Sequence, residues 1–342
     1  MLLDRITDLS ENPAPLRLAE LPMPAPQASE VLVKVSVCGI CHTELDEIEG
    51  RTPPAHFPIV PGHQVVGTVE QLGPGVQYLR RGERVGVAWI FSACGKCRFC
   101  LGGQENLCEA FRATGRDANG GYAEYMTVPE DFSYKIPALF SDAEAAPLLC
   151  AGAIGYRSLR LCRLKNGQAL GLTGFGASAH LVLKMARHRY PGSPVYVFAR
   201  SEKERLFALE LGAVWAGDTT DAPPEKLQAI IDTTPAWKPI VEALRHLDSG
   251  GRLVVNAIRK ENTDKDYLLQ LDYPAQLWLE KEIKSVANVE RRDVQEFLQL
   301  AAEIPIRPEY EEYPLEAANT ALMELKAGRI RGAKILRVSA ST

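Results

Sequence analysis

Three separated stretches carry side chains able to hold a metal ion: Gly39-Ile40-Cys41-His42-Thr43-Glu44, Pro61-Gly62-His63 and Leu148-Leu149-Cys150. Together they offer two thiolates and one imidazole, a donor set that suits Zn2+. A structural zinc is closed by four protein ligands, whereas a catalytic zinc keeps a position open for water or substrate. Three ligands from Cys41, His63 and Cys150 therefore predict a catalytic centre. A second cluster reads Cys94-Gly95-Lys96-Cys97-Arg98-Phe99-Cys100, with Cys108 eight residues on. Four thiols at that spacing can close around one tetrahedral ion within a single loop. Iron–sulfur proteins use C-x2-C-x2-C as well, but the other site argues for zinc. Four thiolates leave no open position, so this zinc is expected to be structural. Cys162 reads as a small buried hydrophobe. Cys38 lies three residues before Cys41 and offers an alternative metal or redox pair; Cys41 is preferred because His42-Thr43 follow it. His56 reads as a loop histidine and His180 as structural.

A different chemistry is written in Gly174-Phe175-Gly176-Ala177-Ser178-Ala179, which follows the apolar run Gln168–Thr173 and precedes a helix starting near Leu181. This is G-x-G-x-x-A in a strand–turn–helix setting. The first glycine makes the turn, the second lets backbone approach a pyrophosphate, and the small third residue packs helix on strand. Phosphate then rests on a helix N-terminus, where free N–H groups and the dipole favour anions. The next strand, Val195–Phe198, ends in Ala199-Arg200-Ser201 instead of the acid that would bind a ribose 2′-OH. Arginine suits a 2′-phosphate through bidentate, charge-assisted bonds. The cofactor expectation is NADP(H), with NAD(H) as the alternative if Arg200 is only a solvated charge.

The elements that must position these groups fall into two patterns. From 30 to 90, short Val-rich strands recur at close spacing: Val31–Val37, Gln64–Gln71 and Arg84–Trp89. A helical turn or more is expected over 42–50, and Gly120-Gly121-Tyr122-Ala123-Glu124-Tyr125 reads as a return to strand. Ser141 caps a helix whose region contains Cys150. From 152 to 289 strands alternate with helices, at Gln168–Thr173, Val195–Phe198, Ala229–Asp232 and Arg252–Ala257, which implies a parallel α/β sheet. Helices over Arg292–Glu303 and Leu315–Ala327 and a strand over Lys334–Val338 complete the chain. The fold class is thus α/β plus a β-rich domain, with residues 152–289 inserted between 1–151 and 290–342 and the four-Cys lobe at 94–108.

Length and composition agree. The chain has 342 residues, 46% hydrophobic and 24% charged, enough for two ordinary globular domains. A net charge of -4 gives no basic footprint for nucleic acid. Charge breaks the N-terminal Met1-Leu2-Leu3-Asp4-Arg5 too early for a signal peptide, and no apolar run of membrane length exists. Eight cysteines without a secretory signal read as metal ligands. A cytoplasmic protein is expected.

Cys41-His42-Thr43, Gly62-His63, the four-Cys lobe, Cys150-Ala151-Gly152 and the Gly174–Ala179 turn together resemble the zinc-dependent medium-chain alcohol dehydrogenases, nearly end to end. The resemblance implies a GroES-like catalytic domain with an inserted Rossmann domain, and two zinc ions per chain. It implies hydride transfer between a nicotinamide dinucleotide, NADP(H) on the reading of Arg200 above, and a primary alcohol or aldehyde. Cys41, His63 and Cys150 match the catalytic ligands; Cys94, Cys97, Cys100 and Cys108 match the structural ones. His42 matches a residue touching the cofactor pyrophosphate, Thr43 the hydroxyl that passes the substrate proton, and Glu44 the acid that orients the ligating histidine. Arg331 matches a late arginine on the cofactor phosphates. Trp89 and Ile90 fall where the family lines its substrate pocket, as do Thr52 and Pro53. Two departures matter. Gln64 stands where the family has glutamate, which touches ligand exchange at the metal. Asp46 stands where its proton relay often ends in histidine, so Asp46 is the candidate end of the relay, with water as the alternative. The short spacing after Cys108 resembles the compact bacterial branch, so a homo-oligomer, tetramer or dimer, is implied. A polyol or amino-alcohol dehydrogenase on this scaffold is the alternative; Trp89 and Ile90 favour an apolar pocket. A zinc protein without activity, or a quinone-reductase relative, would lack the catalytic ligands.

Overall fold

The computed structural model describes residues 1–329 and 332–339. Its chain divides into two compact units, Met1–Cys150 with Val289–Thr342, and Ala151–Asn288.

In the first unit the organising strand is β1 (Glu30–Ile40), followed by α1 (His42–Ile48), β2 (Gln64–Leu72), β3 (Arg84–Val87), β4 (Tyr125–Pro129), β5 (Ser133–Lys135) and α2 (Asp142–Pro147). β1 pairs antiparallel with β2 along its length and with β4 over its first half. Val31, Leu32, Val33, Val35 and Val37 are wholly buried, because neighbours cover both faces. Each such side chain contributes roughly 1.5–3 kcal/mol relative to exposure. β-branched residues suit this pleated, crowded environment. The helix at 42 comes true as α1, seven residues long. Residues 120–124 are not strand, contrary to the sequence reading. Their amides turn instead toward the segment before His63: Gly120 N–H donates to Val60 O (2.7 Å), Gly121 to Gly62 O (3.0 Å) and Tyr122 to Pro61 O (3.0 Å).

The second unit contains α3 (Ala153–Cys162), β6 (Leu170–Thr173), α4 (Ala179–Arg189), β7 (Val195–Phe198), α5 (Glu202–Glu210), β8 (Trp215–Gly217), β9 (Leu227–Asp232), α6 (Lys238–His246), β10 (Leu247–Val255) and β11 (Glu282–Ser285). The six strands are parallel in the order β8-β7-β6-β9-β10-β11. This is a doubly wound sheet whose order reverses between β6 and β9, where such folds bind ligands beyond the carboxyl ends of the strands. Phe198, Leu227, Ile230, Leu244 and Leu253 form its core. Sequence patterning missed β8 and β11.

The chain returns to the first unit through α7 (Arg291–Glu303), β12 (Tyr310–Pro314), α8 (Ala318–Lys326) and β13 (Ala333–Arg337). β13 pairs with the end of β1, Ile40 opposite Lys334. Among the described residues no helix is long and apolar enough to cross a membrane.

Candidate metal and nucleotide sites

β1 ends at Ile40 and delivers Cys41 to the N-cap of α1. The Cys41 sulfur accepts from Thr43 N–H (3.3 Å), while Glu44 Oε2 accepts from Cys41 N–H (2.8 Å), closing a capping box. The other Glu44 oxygen accepts from His63 Nδ1 at 2.6 Å. A carboxylate only accepts, so Nδ1 carries a proton, and in the neutral imidazole Nε2 is left as the metal-binding atom. Glu44 and His63 are fully buried. His63 enters from Gly62, whose φ of +97° an L side chain rarely adopts, and whose Cα lies so close to the Tyr122 ring that a Cβ would overlap it at 2.3 Å. Cys150 comes from a π-helical turn, Leu148–Gly152, inserted just after Pro147. Such turns recur at functional sites.

The ligand atoms of Cys41, His63 and Cys150 lie within 4.8 Å of one another. Cys41 Sγ and His63 Nε2 are 3.6 Å apart, and a tetrahedral zinc with ordinary Zn–S and Zn–N bonds separates such atoms by about 3.6 Å. The Cys150 thiol alongside and burial push the Cys41 thiol well up. Burial alone would lower His63, but the Glu44 carboxylate raises it well above the usual imidazole range. A divalent cation among these groups reverses the cost of ionising the thiols. Cys38, wholly buried, is not among the converging donors; its thiol is pushed up by burial.

The four-thiol lobe is built by its own backbone. All four sulfurs lie within 4.8 Å of one another. Cys94–Cys100 and Cys97–Cys100 measure 3.9 and 3.6 Å, against about 3.8 Å for the edge of a tetrahedral ZnS4 centre. Amides of Cys94, Cys97 and Cys100 donate to neighbouring sulfurs at 3.4–3.5 Å. The N–H groups of Lys96 and Cys97 hold the Cys94 thiol down to about 6, while burial and the Cys97 thiol push Cys100 up to about 12. All eight cysteines are free of disulfides.

Around the three-ligand centre, His42 is exposed and Thr43 partly so at the start of α1. Asp46 is buried and ion-paired with Arg51. Gln64 opens β2 opposite Gly39, with its side chain lying over that glycine. Ile90 is buried. Trp89 is clamped: its Nε1–H donates to Glu47 Oε1 (3.2 Å), the Arg116 guanidinium lies 5.1 Å from its ring and the Phe111 ring 5.6 Å away. Glu47 was not legible in the sequence as part of this cluster. Burial and the Glu44 carboxylate push it up to about 8.

In the second unit, Gly174 has φ +76°, and a Cβ there would meet Thr233 Oγ1 and Thr234 Cγ2 at 2.9 Å. Above Gly176 there is open space, so no protein neighbour demands glycine at that position. That cradle, with Ala177 and Ser178 leading into α4, fits a bound pyrophosphate. Arg200 and Ser201 are exposed at the end of β7, and the Ser201 hydroxyl makes no cap bond to α5. Arg205, which the sequence reading missed, donates to the carbonyls of Ala199 (2.8 Å) and Arg200 (3.0 Å). His180 donates from Nδ1 to Gly176 O at 3.0 Å. Arg331 lies outside the described residues.

Residues 27–138 match the family model described as alcohol dehydrogenase GroES-like domain. The chain is 43% identical to a probable alcohol dehydrogenase, AdhA, of Mycobacterium tuberculosis, over 95% of this chain and 93% of that one. Among solved structures it is similar to a cinnamyl alcohol dehydrogenase of Sorghum bicolor (29% identity, TM-score 0.80, 94% of each chain). It is also similar to a thermostable alcohol dehydrogenase of Pyrobaculum aerophilum, solved with cobalt and zinc bound (25% identity, TM-score 0.82, 96% and 97% of the two chains). With the GroES-like match, this near-complete likeness gives the class of activity, an alcohol dehydrogenase acting on small alcohols or aldehydes. The chain belongs to the zinc-dependent medium-chain alcohol dehydrogenase family.

Proposed function

We propose that the chain is an NADP(H)-dependent alcohol dehydrogenase or aldehyde reductase for primary alcohols, with a catalytic zinc at Cys41, His63 and Cys150 and a structural zinc at Cys94, Cys97, Cys100 and Cys108. The observation that carries this reading is the convergence of three ligand atoms, with the Cys41–His63 spacing that zinc requires. The unit containing Cys41 is the catalytic domain, and Ala151–Asn288 is the dinucleotide domain. A zinc ion held by Cys41, His63 and Cys150 would supply Lewis-acid chemistry, and a dinucleotide on the Gly174–Ser178 turn would supply the hydride carrier. The protein's own residues do the rest. Glu44 fixes the His63 tautomer. Thr43, partly exposed next to the ligands, carries the proton between substrate and solvent. Asp46 is held by Arg51, which leaves water as the simpler end of that relay. Trp89, partly exposed and backed by the buried Ile90, gives an apolar surface that favours an unsubstituted alcohol over a polyol. Gly174, Gly176, Ala177 and Ser178 receive the pyrophosphate. Arg200, with Ser201 and the brace from Arg205, supports a 2′-phosphate. His42 and Arg331 carry only the family's roles.

Association of copies is supported by β11. It is an edge strand exposed throughout, and the chain leading into it carries the exposed Leu269, Tyr273, Trp278 and Leu279. An unpaired edge with apolar neighbours is a surface that proteins cover.

The test is initial rate with NADPH against NADH, using a short aldehyde and a benzylic one. A strong NADPH preference supports Arg200 as the phosphate contact. An NADH preference overturns that assignment, and no rate with either overturns the reductase reading.

A further inference from the structure

At the point where the sheet order reverses, the carboxyl ends of β6 and β9 are joined by a buried polar knot. Asp232, the last residue of β9, is wholly buried. Its Oδ1 accepts from Thr173 Oγ1 (2.6 Å) at the end of β6 and from Thr234 Oγ1 (2.8 Å). Its Oδ2 accepts from the Lys260 ammonium, itself almost wholly buried. Lys260 has two further acceptors, the carbonyls of Thr234 (2.6 Å) and Ala236 (3.0 Å). All three ammonium donors are therefore used.

These bonds tie two loops together. Backbone pairs run alongside them, Asn256 N–H to Asp232 O and Glu261 N–H to Pro235 O, both at 2.8 Å. The Asp264 carboxylate accepts from the amides of Trp237 (2.9 Å) and Lys238 (2.8 Å) where α6 starts. The segment so held is the one that packs on the phosphate-binding turn: Thr233 and Thr234 are the groups a Cβ on Gly174 would strike. Thr233 also donates twice to Thr173 O, from its amide and its hydroxyl, both at 3.0 Å.

We propose that Lys260 is a positioning residue for the dinucleotide. Through Asp232 and the carbonyls of Thr234 and Ala236 it fixes residues 232–236 against Gly174, so that the turn keeps the shape that receives the pyrophosphate. It also neutralises a buried carboxylate at a place where an anionic ligand binds. Without the ammonium, Asp232 keeps an uncompensated charge beside the phosphates. The inference rests on the reading of this unit as the dinucleotide domain.

The experiment is a fluorescence titration of the purified, zinc-loaded protein with NADPH, with thermal unfolding recorded on the same samples. Wild type, Lys260→Met, Lys260→Arg and the double variant Asp232→Asn with Lys260→Met are compared. The expected result is that Lys260→Met and the double variant bind NADPH about tenfold or more weakly, while Lys260→Arg stays within about threefold of wild type. At saturating NADPH the KM for aldehyde is unchanged. A lowered unfolding midpoint with NADPH affinity within about twofold of wild type makes the knot merely structural and overturns the inference. Should Lys260→Met not fold, wild-type affinity in the double variant overturns it equally. A wild type that binds neither NADPH nor NADH overturns the dinucleotide reading itself and the inference with it.

Discussion

The lobe at 94–108 gathers four sulfurs within one loop, while the centre at Cys41, His63 and Cys150 draws its ligands from three segments of the chain. In the lobe, local amides point at the sulfurs, and one thiol is lowered to about 6 by hydrogen bonds alone. At the centre the donors are buried and burdened by one another: Cys150 and burial raise Cys41, and Glu44 raises His63 against the effect of burial. On the proposed reading, the difference is one of purpose. A contiguous, amide-lined, closed site needs little from the rest of the fold and serves stability. The assembled site stops at three ligands: α1, the turn before β2 and the π-turn after Pro147 each bring one donor.

The largest expected effect that would break this contrast comes from the centre. Cys41→Ser should lower kcat/KM on the order of 10³-fold, the loss when several kcal/mol of charge stabilisation is withdrawn, with the fold retained by circular dichroism. Glu44→Gln should follow, with about 10–100-fold lost in activity or metal affinity, because the amide holds His63 less firmly and can present its NH2 to Nδ1. Activity assayed against added zinc separates the two losses. Cys97→Ser should change kcat per folded molecule least of the three, while its thermal midpoint falls by on the order of 10 °C through loss of the lobe's metal. A Cys97→Ser protein with intact midpoint but lost turnover would exchange the two roles.

How far the sequence carries follows the same contrast. Local signals were enough for the lobe, for Ser141 as a helix cap, and for the glycine turn at 174, because each depends on residues a few positions apart. Strands β1, β2 and β7 announced themselves through β-branched runs buried on both sides. The strands β8, β11 and β12 did not. They are short, at or near the sheet edges, and carry partly or wholly exposed residues such as Glu282 to Ser285, so no burial pattern marks them. Gly120 to Glu124 reads as strand in the sequence, yet the amides of Gly120, Gly121 and Tyr122 are spent on Val60, Gly62 and Pro61, a long-range partnership that no local pattern encodes. The same holds for Glu47 under Trp89, Arg205 behind Arg200 and Lys260 on Asp232: each is a charged residue whose partner is chosen by tertiary approach. The candidate ligands were legible as residue types and motifs; the groups that hold them in place were not.

Counting zinc tests the central claim most directly. Metal analysis of the purified wild type, Cys41→Ser and Cys97→Ser proteins, each paired with a turnover assay, should give about two, one and one zinc per chain, with turnover surviving only where the three-ligand centre is intact. A wild type holding one zinc, or a Cys41→Ser protein that still turns over at the wild-type rate, would contradict the account.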